Sequence, residues 1–187
     1  IQWIAQYIRE RGGSIQPQAA EKVLQLVGPH LAIIQQELNK LLLYCEGVEI
    51  DEKMVEELVT RSLEENVFTL VEHVVQKRLD DALEIYGDLL KLNEEPIKIN
   101  ALIASQLRLL YQVKTLMEKG YGQNQIASRL KVHPYRVKLA MAKSKQFSLE
   151  KILQMINDLA EIDYQMKTGG GKKEKLLELF FLKHIGG

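Results

Sequence analysis

Glycine and proline divide this chain into helical lengths, and no other feature restricts its fold as much. Pro17, Pro29, Pro96 and Pro134 each stand at or near the start of a helical pattern. Proline is tolerated there because the first helical N–H groups have no intrahelical partner. Gly12-Gly13, Gly28, Gly47, Gly120 and Gly169-Gly170-Gly171 follow such patterns, where a left-handed cap favours glycine. Only Gly87 falls inside one. Between these marks apolar residues recur at three and four, as in Val23, Leu24 and Val27, in Ile34, Leu38, Leu41 and Leu42, and in Val67, Leu70, Val71, Val74 and Val75. Strand-like alternation is confined to Val48-Glu49-Ile50. The expected fold class is all-α.

The longest helix is predicted from Pro96 to about Glu118. Its apolar positions, among them Ile99, Leu102, Ile103, Leu107, Leu109, Leu110 and Val113, form a surface broad enough to require helices on more than one side. Ser148 is placed to cap the next long segment, which carries Ile152, Ile156, Leu159 and Ile162 and stops at the triple glycine. A last helix carries Leu176, Leu177, Leu179, Phe180 and Leu182. The polar interval Arg61-Ser62-Leu63-Glu64-Glu65-Asn66 interrupts the pattern. A domain boundary is therefore expected near Ser62, dividing residues 1–62 from residues 63–187.

With 187 residues, folding buries about 70% of the surface of the extended chain, so neither metal nor disulfide is needed to stabilise a core. The single cysteine, Cys45, lies in an apolar helical run and reads as a reduced core or boundary thiol, which suits a reducing cytoplasm. No apolar stretch approaches the roughly 20 residues that span a bilayer, so no membrane association is expected. The chain opens at Ile1 without methionine, which reads as a fragment of something longer.

The formal net charge is zero, yet residues 1–95 hold 9 basic and 18 acidic groups and residues 96–187 hold 16 and 7. Such a dipolar chain suits self-association or an anionic partner for its second part. The charge is most one-sided between Lys119 and Gln146, where Lys119, Arg129, Lys131, Arg136, Lys138, Lys143 and Lys145 occur with no acid. These seven are the candidate nucleic-acid or subunit contacts; a solvated face balancing acidic neighbours is the alternative. Within the segment, Ile126, Ala127, Leu130 and Val137, with a turn at residues 132–134, match a helix-turn-helix. A DNA-binding regulator centred on residues 122–145 is the competing reading, although two short helices also pack this way without any nucleic acid.

Catalytic machinery is not indicated. His30, His73, His133 and His184 are dispersed, without the i+4 spacing that lets two imidazoles share a metal. The acidic pairs at residues 51–52, 56–57 and 64–65 fall in helix starts or a polar linker, where the helix dipole already favours a carboxylate. Gly169-Gly170-Gly171-Lys172-Lys173 lacks the spacing and the preceding strand of a phosphate-binding loop, since Met166 and Lys173 stand where glycine and Ser or Thr would be required. No catalytic residue, cofactor or metal is assigned.

Across most of its length the chain resembles the delta subunit of the bacterial DNA polymerase III clamp loader. In the first part, Gly28-Pro29-His30-Leu31 followed by Gln36-Glu37-Leu38-Asn39-Lys40-Leu41 is similar to that family's lid, a small AAA+-type helical bundle. In the second, Asp81-Ala82-Leu83, Leu89-Leu90, Glu95-Pro96 and Gln106-Leu107-Arg108-Leu109-Leu110 resemble the start of its helical collar domain. Gly120, Gln125-Ile126-Ala127, His133-Pro134-Tyr135-Arg136-Val137, Leu159-Ala160-Glu161-Ile162-Asp163 and Lys167-Thr168-Gly169 continue it.

The resemblance implies a small lid-type bundle followed by a collar that assembles a five-subunit ring with ATPase subunits and a delta-prime type subunit. It also implies contact with the sliding clamp through an N-terminal domain that this sequence lacks, primed DNA in the assembled complex, and a cytoplasmic, bacterial setting. The lid of ATP-using relatives carries Gly-x-x-Arg, whereas here Leu31 takes the arginine's place. Leucine cannot stabilise phosphate charge, so the resemblance implies no ATP hydrolysis by this subunit within the DNA-directed polymerase holoenzyme.

Overall fold

The computed structural model describes residues 1–185, and among these it is helical with no extended strand. The helices are α1 (Gln2–Arg9), α2 (Pro17–Val27), α3 (Leu31–Tyr44), α4 (Glu52–Leu58), α5 (Leu63–Val75), α6 (Leu79–Lys91), α7 (Pro96–Glu118), α8 (Gln123–Leu130), α9 (Pro134–Ser144), α10 (Leu149–Thr168) and α11 (Lys173–Ile185). The chain forms two compact units, Ile1–Glu65 and a second beginning at Asn66.

In the first unit α1, α2, α3 and α4 enclose one core that includes Ile8, Val23, Leu38, Leu41 and Val55. The alternating Val48-Glu49-Ile50 does not become a strand. It contributes one parallel bridge, in which Gln16 N–H donates to the Ile50 carbonyl and Ile50 N–H donates to the Ser14 carbonyl, each at 2.9 Å. Asp51 then caps α4, accepting from the Met54 N–H at 2.8 Å, so this carboxylate has the helix-start role that its position predicts. Buried Glu37 accepts from the Thr60 N–H at 3.1 Å and pairs with Lys40 at 2.6 Å, tying α3 to the segment after α4. Cys45 is buried beside Met54, with its sulfur 3.6 Å from the thioether, and burial raises the thiol pKa. It is a core thiol with little thiolate character.

Gly28 closes α2 at φ +76°, and a Cβ there would meet a Glu65 carboxylate oxygen at 2.8 Å. The left-handed backbone strains any side chain at this position.

The second unit is assembled on α7, which contacts α9, α10 and α11. Ile99, Ile103, Leu107, Leu110 and Val113 are all buried, which explains the broad apolar surface read from the sequence. Buried Asn100 donates its amide N–H to the Leu159 carbonyl of α10 at 3.2 Å, fixing the two helices along their axes. Ser148 caps α10 by accepting from the Lys151 N–H at 3.1 Å. Gly169 ends α10 at φ +81°, and Gly170 N–H returns to the Gln165 carbonyl at 2.9 Å, which is how glycine stops a helix.

α11 packs on α6, α7 and α10. Phe181 meets Tyr86 edge-on at 5.3 Å, and Tyr86 O–H donates to the Glu174 carbonyl at 3.1 Å. His184, 3% exposed, directs Nε2 at Asp158 Oδ2 at 2.7 Å, while its Nδ1 is buried with no hydrogen-bond partner. Burial lowers the His184 pKa more than the Asp158 hydrogen bond raises it. Burial also pushes the Asp158 carboxyl up, but hydrogen bonds from Lys183 and His184 outweigh that and leave it lowered. The pair is therefore a neutral imidazole donating Nε2–H to a carboxylate.

Two outcomes follow. Phe181→Ala is expected to destabilise the second unit by about 3–5 kcal/mol, the usual cost of deleting a fully buried ring, measured by urea denaturation. Both folded-state pKa values in the His184–Asp158 pair lie below their ordinary values, so unfolding takes up protons. The pair's stabilisation is complete above the ordinary histidine pKa and is lost as pH falls, first through the imidazole and then through the carboxyl. The thermal midpoint should fall between pH 7.5 and 5, and His184→Gln, which keeps a donor to Asp158, should flatten that fall. An equally steep fall in the variant would refute the assignment.

Candidate nucleic-acid and subunit interface

The seven basic side chains of residues 119–145 do not share one environment. Lys119, the C-cap of α7, and Arg129, Lys131, Lys138 and Lys145 are exposed. Arg136 is only 8% exposed, on the inward side of α9 beside buried Val137. Lys143 pairs with Glu72 of α5 at 2.6 Å, and its ammonium lies 3.7 Å from the Phe68 ring centroid. Arg136 is thus buried and Lys143 paired, which the charge count could not distinguish from the exposed cations. A cation over an aromatic face with a partly buried carboxylate is a structural contact.

The helix pair that carries this charge is built locally. The Gly122 N–H donates to Gln125 Oε1 at 3.0 Å at the start of α8, and the chain leaves α8 with Lys131 in the left-handed region at φ +54°. His133 Nδ1 accepts from the Tyr135 N–H at 3.2 Å as the cap of α9. Gln123 donates its side-chain N–H to the Pro134 carbonyl at 3.0 Å, holding the two helix starts together. Ile126, Ala127, Val137 and Ala140 are buried. The Arg129 guanidinium lies 4.3 Å from the Tyr121 ring centroid, which draws Arg129 toward the Lys119 end of the cluster.

The helix-turn-helix resemblance is thus one of shape. The exposed positions of α9 are Pro134, Lys138 and Ala142. Side chains able to hydrogen-bond base edges are what a recognition helix needs, and this face offers one lysine.

A second surface was less legible. Leu153 and Tyr164 of α10 and Leu179 and Leu182 of α11 are exposed, Leu179 at 60% and Tyr164 at 64%. Ile162, Leu176, Leu179 and Phe180 line an open groove between these helices, with Asp158, Glu161 and Lys183 also on its walls. The signal was present in the sequence, because Leu and Phe at residues 176, 177, 179, 180, 181 and 182 occupy more of a helix than one buried face can use. By contrast, the broad apolar surface of α7 is largely consumed within the unit. In the first unit, Leu31 at the start of α3 is exposed and uncharged.

The two kinds of lysine are separable by stability. Lys143→Met should cost about 1–2 kcal/mol by leaving Glu72 partly buried without its cation, whereas Lys138→Met should change stability by less than about 0.5 kcal/mol. Equal effects in chemical denaturation would remove the distinction.

A family model described as DNA polymerase III delta subunit, C-terminal domain, matches residues 64–184, and one described as a middle domain matches residues 1–57. The DNA polymerase III subunit delta of Bacillus subtilis is 50% identical over 173 residues, which cover 91% of this chain and 49% of that protein. The probable subunit delta of Aquifex aeolicus is 27% identical over 165 residues, covering 87% and 47%. The solved Bacillus subtilis DNA clamp loader delta protein superposes with a TM-score of 0.93 at 46% identity, covering 100% of this chain and 55% of that one. The chain spans about half the length of these relatives. None of them supports the helix-turn-helix regulator. By its match over residues 64–184, supported by relatives aligned through both units, the chain belongs to the DNA polymerase III delta subunit family.

Proposed function

We propose that this chain is the lid and collar portion of a clamp-loader delta subunit acting in DNA replication, with residues 1–62 as an AAA+ lid-like bundle and residues 63–187 as the collar. The collar assembles with the ATPase subunits and a delta-prime type subunit. The lid passes rigid-body movement toward the domain that engages the sliding clamp. The chemistry of ATP belongs to the neighbouring subunits, in keeping with uncharged Leu31 at the start of α3.

The observation that carries the assembly role is the set of exposed apolar side chains on α10 and α11. Leu179 lines an open groove between the two helices, and Leu153, Tyr164 and Leu182 are also exposed on them; apolar surface left in water on a folded domain marks protein contacts. Its occupant in this reading is the helical collar of a neighbouring loader subunit.

The test is assembly of the full-length delta subunit with the other loader subunits, followed by light scattering at micromolar concentration. Leu179→Ser combined with Leu182→Ser should weaken association at least tenfold while leaving the thermal midpoint nearly unchanged, because both side chains are exposed. Unchanged association in the double variant would move the interface elsewhere, and failure of the unsubstituted protein to associate would overturn the assembly role.

A further inference from the structure

We infer that the exposed cations around α8 and along α9, Lys119, Arg129, Lys131, Lys138 and Lys145, form a contact surface for the phosphate backbone of duplex DNA that does not read its bases. This goes beyond the assembly role and does not depend on it. Among the described residues none of the five has a carboxylate partner, and no acidic residue occurs between positions 119 and 146. Their charge is therefore directed to solvent, unlike that of Lys143, which Glu72 offsets.

The composition of this surface selects the ligand. A protein partner needs an apolar centre within a polar rim, and lysine is depleted at such centres. No large apolar side chain is exposed between residues 119 and 146; those of this unit are Leu92, Leu153, Tyr164, Leu179 and Leu182. A phosphate backbone needs only cations at suitable spacing. Lys138 and Lys145 are seven residues apart, which on a helix is about two turns on one face and a rise of roughly 10 Å. That is close to three base-pair steps at roughly 3.4 Å each.

The form of the nucleic acid follows from the aromatic residues. Single strands are held by rings free to stack on bases. Tyr121 and Tyr135 are only partly exposed, Phe147 is buried, and the Arg129 guanidinium already covers a face of Tyr121. Base reading is disfavoured by the short outward positions Pro134 and Ala142 of α9. A sequence-independent duplex contact is what remains.

The experiment uses the chain alone with a fluorescent 20-base-pair DNA duplex, read by anisotropy. Saturable binding below 100 µM is expected at 20 mM salt, weakening about fifty-fold by 60 mM if four of the cations touch phosphate at roughly 0.9 each. Lys131→Gln with Lys138→Gln should lower affinity at least tenfold and reduce the salt slope by about two. Lys175→Gln, an exposed lysine paired with Glu178 on α11, should change neither, with circular dichroism confirming that each variant is folded. The inference is overturned by any of four results: no saturable binding at 20 mM salt, an unaffected double variant, a tenfold preference between unrelated duplexes, or tighter binding of a single strand or an oligoglutamate.

Discussion

Burial of one whole face of α7 along its length is the constraint on which the larger unit depends. A helix whose positions 99, 103, 107, 110 and 113 are all buried while Lys98, Ala101, Ser105, Arg108 and Gln112 are exposed turns one long stripe to the core, and its length sets how many neighbours that stripe needs. α9, α10 and α11 meet that need, and the Asn100 amide fixes α10 against it in one axial register. Hydrophobic contact alone would tolerate sliding by a turn; a buried polar donor that must find one particular carbonyl does not. The outward faces of α9, α10 and α11 inherit their positions from this packing.

Those outward faces differ in the physics they can use. The α10 and α11 face presents exposed leucines and a tyrosine, so its contacts gain from excluding water and respond weakly to salt. The α8 and α9 face presents cations without exposed apolar bulk, so its contacts are long-ranged and screened by ions. The two sets share no side chain, so the contacts proposed for them would not compete.

The helix boundaries were largely legible, because they depend on local chemistry. Pro96 begins and Glu118 ends α7, Ser148 caps α10, and Gly169 stops it; each is decided by residues within a turn of the boundary. Charge was less legible. Arg136 and Lys143 look the same as Lys138 in a charge count, yet Arg136 is buried and the environment of Lys143 is set by Phe68 and Glu72 on α5. Val48-Glu49-Ile50 has the alternation of a strand but only the Ser14 to Gln16 segment beside it, so a single bridge is what forms. Leu179 and Leu182 were visible as apolar residues, but only tertiary packing shows that they are left over after the core is filled.

The hydrogen bond from Tyr86 to the Glu174 carbonyl joins positions 88 residues apart, and it bears on the order in which the polypeptide acquires its structure during synthesis. The core of residues 4–59 needs nothing from downstream, so it can condense as soon as that stretch clears the ribosome. The later core has to wait for Phe180 and Phe181, because without them Tyr86 and the adjoining flank of α7 lack their covering. Translation leaves that greasy flank open until the last turns of α11 emerge, the interval in which a nascent chain is most exposed to aggregation and to chaperones.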